Sequence, residues 1–514
     1  MIKRPLILLI LLIAVPCWAI TDCGDAVDNT WCIETTDTTV DGDTACDSTT
    51  CTSADTLILD GGARGSILFR DFDGDGSYIT IMNEDTNRVV ITHDSAHARG
   101  IVSFDDCKYV DFRGDNNSSY IYGIKVVSDG SPNTPARNIW IYGESSYLKI
   151  GYIETEWTGT NYYGASGLGA AENPLDWIWS NIEIHHNYIH GSHYAGMYIG
   201  HNKADIDSGA AYVQGWSIHD NIIIDAGSYG ITYKGINATV DSYIYNNYVQ
   251  NTGQSLGEGC AGSIDTANRQ GIGSQYSYNG TGVVHIYNNW VENTAGTCLK
   301  LNSTDFNVYG NVLFDCGYDA TASNQRGINL TESELSGDWT AYIYNNTLID
   351  IGDDAIFNDG FDDVYISNNI IYDVAGDCMD LDWADGTATY AFYNNDCYGE
   401  SGYYARVEGS TYSTDTALNV RGDAAGNIED DPQLNNIGSK EFWPATSSSN
   451  VVEAGYNVGD PYDTLLLSTS DFTASPPSVL TDQFANDYIG AYGLVGSATP
   501  TYPIQGAAGN FEYN

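Results

Sequence analysis

Between residues 150 and 400 the chain carries only five basic residues, Lys203, Lys234, Arg269, Lys300 and Arg326. Beside them in sequence stands a set of five aspartates, Asp354, Asp359, Asp377, Asp380 and Asp382. Cations next to carboxylates on one surface support two kinds of chemistry. In the first, Lys300 or Arg326, with Lys234 nearby, takes the proton alpha to a substrate carboxylate. Another cation, or Ca²⁺ held by Asp354, Asp377 and Asp380, neutralises that carboxylate. In the second, two aspartates act as acid and base, with carboxyls ~6.5–9.5 Å apart for an inverting reaction. An earlier run, Asp71-x-Asp73-x-Asp75-Gly76, spaces three carboxylates as Ca²⁺ loops do. Met82 occupies the place where an EF-hand has its bidentate acid, so this is no EF-hand. Ca²⁺ is the candidate cofactor, and a metal-free acidic turn at Asp71–Asp75 is the alternative.

These residues need a scaffold that brings distant segments into line, and the sequence contains one. A short motif returns as HHNYIH at His185–His190, HDNIII at His219–Ile224, YNNYVQ from Tyr245 and YNNWVE from Tyr287. It continues as YGNVLF from Tyr309, YNNTLI from Tyr344, SNNIIY from Ser367 and YNNDCY from Tyr393. The marking asparagines are Asn187, Asn221, Asn247, Asn289, Asn311, Asn346, Asn369 and Asn395. A short unit repeated this way cannot bury a hydrophobic face alone, which implies a solenoid. Apolar residues alternate around each asparagine and the motif is rich in Val, Ile and Tyr, so the units are strands. Stacked coils place each asparagine ~4.8 Å from the next, close enough for amide-to-amide bonds along the column.

On these motifs the chain resembles the right-handed parallel β-helix proteins of the pectate-lyase-like superfamily, in which an asparagine ladder marks one turn of every coil. The resemblance covers roughly residues 57–425. It implies an all-β fold, a right-handed parallel β-helix solenoid, with a disulfide-bearing N-terminal cap at 20–56 and a C-terminal cap at 426–514. It leaves activity open, because one fold carries many functions. The strand after the asparagine-marked turn is where this superfamily keeps its cleft. The outward positions there include Tyr198, Lys234, Gln275, Lys300, Asn302, Arg326, Asn329, Phe357 and the aspartate set. Lys300, Arg326 and Lys234 are the candidate catalytic residues, and Tyr198, Gln275, Asn302, Asn329 and Phe357 the candidate sugar contacts. Gly352-Asp353-Asp354-Ala355-Ile356 resembles the paired aspartates of polygalacturonases, but no histidine follows His285 to supply that family's further motif.

Column alignment also explains residues that need no chemistry. His185 and His219 share a column with Tyr245, Tyr287, Tyr309, Tyr344 and Tyr393, so they read as part of an aromatic stack. Asp225, Asn251, Asn293, Asp315, Asp350 and Asp373 share another and read as turn residues. His190, His193 and His201, with Lys203, fit neither pattern and form a secondary cluster. Cys298 and Cys378 fall in an inward slot shared with Gly230, Gly271, Gly327 and Ala355, and read as small buried residues.

Residues 1–19 have the pattern of a secretory signal: Lys3 and Arg4, an apolar run over Leu6–Val15, then Cys17-Trp18-Ala19. Cys23, Cys32, Cys46 and Cys51 precede the coils and suit two disulfides, with three possible connectivities. A formal charge of −49 disfavours nucleic acid and anionic membranes as partners. No later stretch is long and apolar enough to insert in a membrane. The expectation is a secreted, monomeric protein whose partner is an extracellular polysaccharide. The leading reading is a lyase cleaving a uronate polymer by β-elimination. A non-catalytic sugar-adhering rod and an aspartate-dependent glycoside hydrolase remain as alternatives.

Overall fold

The computed structural model describes residues 21–22, 29–46, 49–94, 100–116, 119–129, 137–158, 166–170, 178–200, 212–234, 239–253, 269–275, 281–302, 304–319, 321–322, 324–331, 338–381, 388–437, 441–444, 466–467 and 479–480. The chain winds into a right-handed parallel β-helix whose coils each contribute one strand to three long sheets, of 15, 12 and 14 strands. One full coil runs Val283–Tyr287, Trp290–Thr294 and Thr297–Asn302 before Asp305–Tyr309 begins the next. No helix among the described residues is long and apolar enough to cross a membrane.

The local sequence dictates each corner. The residue before each ladder asparagine has a left-handed backbone, with φ between 52° and 64° at His186, Asp220, Asn246, Asn288, Gly310, Asn345, Asn368 and Asn394. Asn, Asp and Gly tolerate this conformation best, which is why they dominate the column. The asparagine itself then turns inward. Asn289 Nδ2 donates to Ile244 O at 2.9 Å and to Asn311 Oδ1 at 3.0 Å, and the same pattern recurs from Asn187 to Asn395. The ladder runs one rung further than the sequence motif suggests, because Asn395 Nδ2 donates to Asn427 Oδ1 at 3.0 Å. Asn419, just past the short helix Asp415–Leu418, accepts from Asn427 Nδ2 at 2.8 Å and ends the column.

Inside, like residues stack on like. Ile184, Ile218, Ile244, Ile286, Val308, Ile343, Ile366 and Phe392 are consecutive ladder partners and all buried. Outside the same sheet the expected aromatic stack is present: His185 on His219 at 5.5 Å, His219 on Tyr245 at 4.6 Å, and Tyr245 on Tyr287 at 4.9 Å. The residues Asp225, Asn251, Asn293, Asp315, Asp350 and Asp373 are left-handed as well, φ 52–59°, which accounts for their short polar side chains.

Two expectations need correction. Cys298 and Cys378 are not lone small residues: Cys298 is bonded to Cys316 and Cys378 to Cys397. Each bridge joins an inward position of one strand to the second-sheet strand of the next coil, where inward side chains of different sheets meet across a narrow core. The parallel ladders also begin earlier than residue 57, since Thr30–Ile33 pairs with Thr56–Leu59 and Thr39–Asp41 with Ile67–Arg70. Cys46–Cys51 closes a loop within this first coil. Cys32 is also disulfide-bonded, whereas Cys23 and the segment 1–20 lie outside the described residues.

Candidate functional site

The 14-stranded sheet carries the candidate residues in register. Tyr198 lies beside Thr232, then Gly273, Lys300, Asn329, Phe357, Asp380 and Arg406 in successive coils. A second column holds Tyr229, Gln270 and Thr297, and backbone bonds carry it on past Arg326, Asp354 and Asp377. A third runs from Gly200 through Lys234, opposite Gln275, and continues in later coils with Asn302, Thr331 and Asp359. Arg326 precedes Asn329, the ladder partner of Lys300, by three residues rather than the two that simple alternation implies. Two consecutive inward residues, Cys298 and Leu299 in the neighbouring coil, account for the extra step.

The columns converge chemically at one place. Asp354, Asp377 and Asp380 are all buried, and each offers an oxygen within 4.8 Å of the others. Asp354 Oδ1 accepts the Asp377 N–H at 3.0 Å, and Asp377 Oδ1 accepts the Tyr403 N–H at 2.7 Å, so the backbone aims both carboxylates. Arg406 closes one side, with Nη2 2.8 Å from Asp377 Oδ2 and Nη1 3.1 Å from Asp380 Oδ2. Arg326 closes the other: Nε is 3.6 Å from Asp354 Oδ2, Nη1 donates to Asn329 Oδ1 at 3.4 Å, and the guanidinium carbon sits 3.1 Å from the Phe357 ring centroid.

Burial pushes the Asp354 carboxyl up to about 6, reinforced by Asp353 and Asp380 and opposed by the Asp377 N–H and by Arg326. Burial also lowers Arg326, against the pull of Asp354 and Asp353. Both partners of this pair move toward their neutral forms, so desolvation outweighs a pairing that lacks close hydrogen-bond geometry. Arg406 is the residue that sequence reasoning missed. Arg406 lies outside the 150–400 stretch, yet it follows Asp380 by 26 residues, the spacing of one coil.

The other candidates occupy different stations along the axis. Lys234 is three strand steps, ~14 Å, from the strand that follows Arg326. Its Nζ donates to Tyr198 Oη at 2.6 Å, and burial lowers its pKa to about 8. Because the folded state binds the proton less tightly than the unfolded chain, the charge costs stability below pH 8, and that cost fades as pH rises from 8 toward 10.5. Lys234→Met is therefore expected to raise the melting temperature at neutral pH, with the gain shrinking across that window in thermal scans. A gain independent of pH rules out the buried charge as its cause. Lys300 lies in the coil next to Arg326, and Asp359 sits in the third column, outside the acidic set. Asp382, His201 and Lys203 lie outside the described residues.

Asp71, Asp73 and Asp75 are not among the described groups whose oxygens converge within 4.8 Å. Asp73 Oδ1 instead accepts the Asp75 N–H at 2.9 Å, closing a local turn, and Asp71 and Asp73 line a polar recess with Asp106, Lys108 and Glu144. His190 is engaged with Glu154 at 3.2 Å and stacks on Tyr188, while His193 packs 5.9 Å from the Trp157 ring.

This is a parallel β-helix with a charged, partly buried site on one outer face. No family model matches the chain, and no curated protein matches it by sequence. Among solved structures, pectate lyase Pel9A is similar at 12% identity over 91% of this chain and 97% of its own, with a TM-score of 0.42. An alginate lyase from Paenibacillus sp. str. FPU-7 shares 13% identity over 75% of this chain and 99% of its own, TM-score 0.35. The PL6 family alginate lyase AlyGC shares 11% over 80% of this chain and 57% of its own, TM-score 0.40. The fold assignment here rests on the strand pairing itself.

Proposed function

We propose that the chain is a secreted polysaccharide lyase that cleaves a uronate polymer by β-elimination at the Asp354–Asp377–Asp380 site, assisted by Ca²⁺. The observation that carries this reading is three buried carboxylates gathered within 4.8 Å between two arginines. Two arginines offset only part of the charge of three buried carboxylates, and an all-oxygen donor set suits a hard cation such as Ca²⁺. Asp354, Asp377 and Asp380 would hold the ion, which when bound supplies the positive charge that acidifies a proton alpha to a uronate carboxylate.

The chain's own groups do the rest. Arg326, bordering Asp354 at the edge of the site, is the group assigned to take the proton from C5. The C–H electrons become the C4–C5 double bond, the C4–O glycosidic bond breaks, and the leaving oxygen takes a proton from solvent. Asn329 and Phe357 hold the guanidinium in place. Tyr198, Lys234, Lys300 and Asn302 extend the polar face along the axis, where neighbouring sugars of a chain substrate would lie. Lys300, one coil away, serves there as a carboxylate partner.

A second reading rests on Asp354 alone. A carboxyl pushed up to about 6 is suited to general-acid work in a glycoside hydrolase. The acidic oxygens are closer than the ~6.5–9.5 Å of inverting enzymes.

Incubating the mature protein with acidic and neutral polysaccharides, in Ca²⁺ and in EDTA, separates these readings. Ultraviolet absorbance from unsaturated uronate ends supports elimination, whereas reducing ends without that absorbance support hydrolysis. Binding without either product supports the adhesive rod. Ca²⁺ is also expected to raise the melting temperature by binding only the folded state, worth ~2.7 kcal/mol at a hundredfold excess over Kd. Asp377→Asn should abolish the shift and Asp73→Asn should keep it. Identical scans in EDTA and millimolar Ca²⁺ would remove the ion from the mechanism.

A further inference from the structure

We propose that His186, His219 and Asp220 form a second metal site, for a late first-row divalent ion such as Zn²⁺, on the outer face of the 15-stranded sheet. One ligand atom from each lies within 4.8 Å of the others. The residues come from two adjacent coils, Glu183–His185 pairing with Ser217–His219, so an ion there would tie one coil to the next.

The column that supplies two of the ligands argues for it. The left-handed position before the ladder asparagine is Asn at 246, 288, 345, 368 and 394 and Gly at 310. Only in the two successive coils at His186 and Asp220 does it hold metal-ligating side chains. His and Asp are both among the residues the left-handed region tolerates, so the fold can place ligands here without a backbone cost.

The rings are held before any ion arrives. His186 stacks on Tyr152 at 4.8 Å, and its Nδ1 is 3.1 Å from His185 Nδ1. His219 lies between His185 and Tyr245 in the aromatic stack. Its Nδ1 is 2.6 Å from Asp220 Oδ2 and its Nε2 is 3.1 Å from Glu183 Oε1. Asp220 is 8% exposed at its side chain, and its other oxygen, Oδ1, is buried without a hydrogen bond. An ion would replace the proton shared by His219 Nδ1 and Asp220 Oδ2, releasing it to solvent. Glu183, paired with Lys149 at 2.9 Å, stands behind His219 as the carboxylate that orients a ligating imidazole. Two imidazoles and one carboxylate suit Zn²⁺, while Ca²⁺ prefers oxygen alone.

The test uses the full mature protein stripped with EDTA, then equilibrium dialysis against ZnSO₄ in millimolar Ca²⁺, with thermal scans alongside. The expected result is Zn²⁺ uptake with a raised melting temperature, and visible d–d bands of nitrogen ligation when Co²⁺ replaces Zn²⁺. His186→Asn and Asp220→Asn should each weaken binding by more than ~10-fold. Both should leave the metal-free melting temperature intact or higher, because Asn is the residue other coils use there. No Zn²⁺ uptake by the parent protein overturns the proposal. So does undiminished uptake in both variants, or loss of uptake only in Asp377→Asn, which would assign the ion to the acidic site.

Discussion

Arg326→Ala is expected to lower kcat by ~10²–10⁴, the usual worth of a positioned acid–base group. Among the three sequence-derived catalytic candidates, Arg326 borders the acidic set, with Nε 3.6 Å from Asp354 Oδ2. Lys300 lies one strand step away and Lys234 further still, so Lys300→Ala should act mainly on KM. The substitution also uncovers the Phe357 ring and leaves Asp354 without this cation, so thermal scans must accompany the kinetics. Arg326→Lys serves as the control: it keeps a cation over Phe357 but loses the planar fork. It should fold normally and still turn over slowly. Full turnover by the alanine variant on a confirmed substrate would move the base elsewhere, with Arg406 next in line because it contacts both Asp377 and Asp380.

Asn289→Ala should cost about 3 kcal/mol or more of stability, the largest effect expected from a residue outside the site. Asn289 Oδ1 accepts from both Asn247 N at 3.1 Å and Asn247 Nδ2 at 3.0 Å, and its Nδ2 donates to Ile244 O. Truncation therefore takes the acceptor from the buried Asn247 N–H and removes one donor each from Ile244 O and Asn311 Oδ1, while Asn247 Nδ2 keeps Ile218 O. Asn289→Asp is the informative companion, since it keeps an acceptor but puts a charge into the column. Denaturant titration followed by far-ultraviolet circular dichroism gives the measure. A stability within 0.5 kcal/mol of the parent, the range of a neutral surface change, would mean the ladder contributes little.

Much of the architecture is legible in the repeat itself. The asparagine column, the aromatic stack through His219 and Tyr245, and the short polar turn residues such as Asp225 all follow from a periodic scaffold that repeats its local chemistry. Where the repeat falters, the architecture is no longer legible in it. Asn427 lies beyond the hairpin of Ala405–Val407 and Ser410–Tyr412 and the helix Asp415–Leu418, so the ladder's last rung was overlooked despite its Gly-Asn-Ile signature. The Cys298–Cys316 and Cys378–Cys397 bridges were missed because alignment within one sheet does not say which inward residues of another sheet meet them.

The sequence alone determined the coil, its asparagine and aromatic columns and the outward set on the strand after the turn, because strand alternation and ladder spacing are local properties carried by consecutive side chains. It also named Asp354, Asp377 and Asp380 as a group, since all three fall on one face within two successive coils. Tertiary structure alone decided which charges meet. Arg406 against Asp377 and Asp380, Arg326 against Asp354, and Lys234 desolvated against Tyr198 depend on ångström-scale distances and on burial. Electrostatic energy and desolvation vary steeply over those distances, whereas a repeat fixes position only to the nearest coil and column.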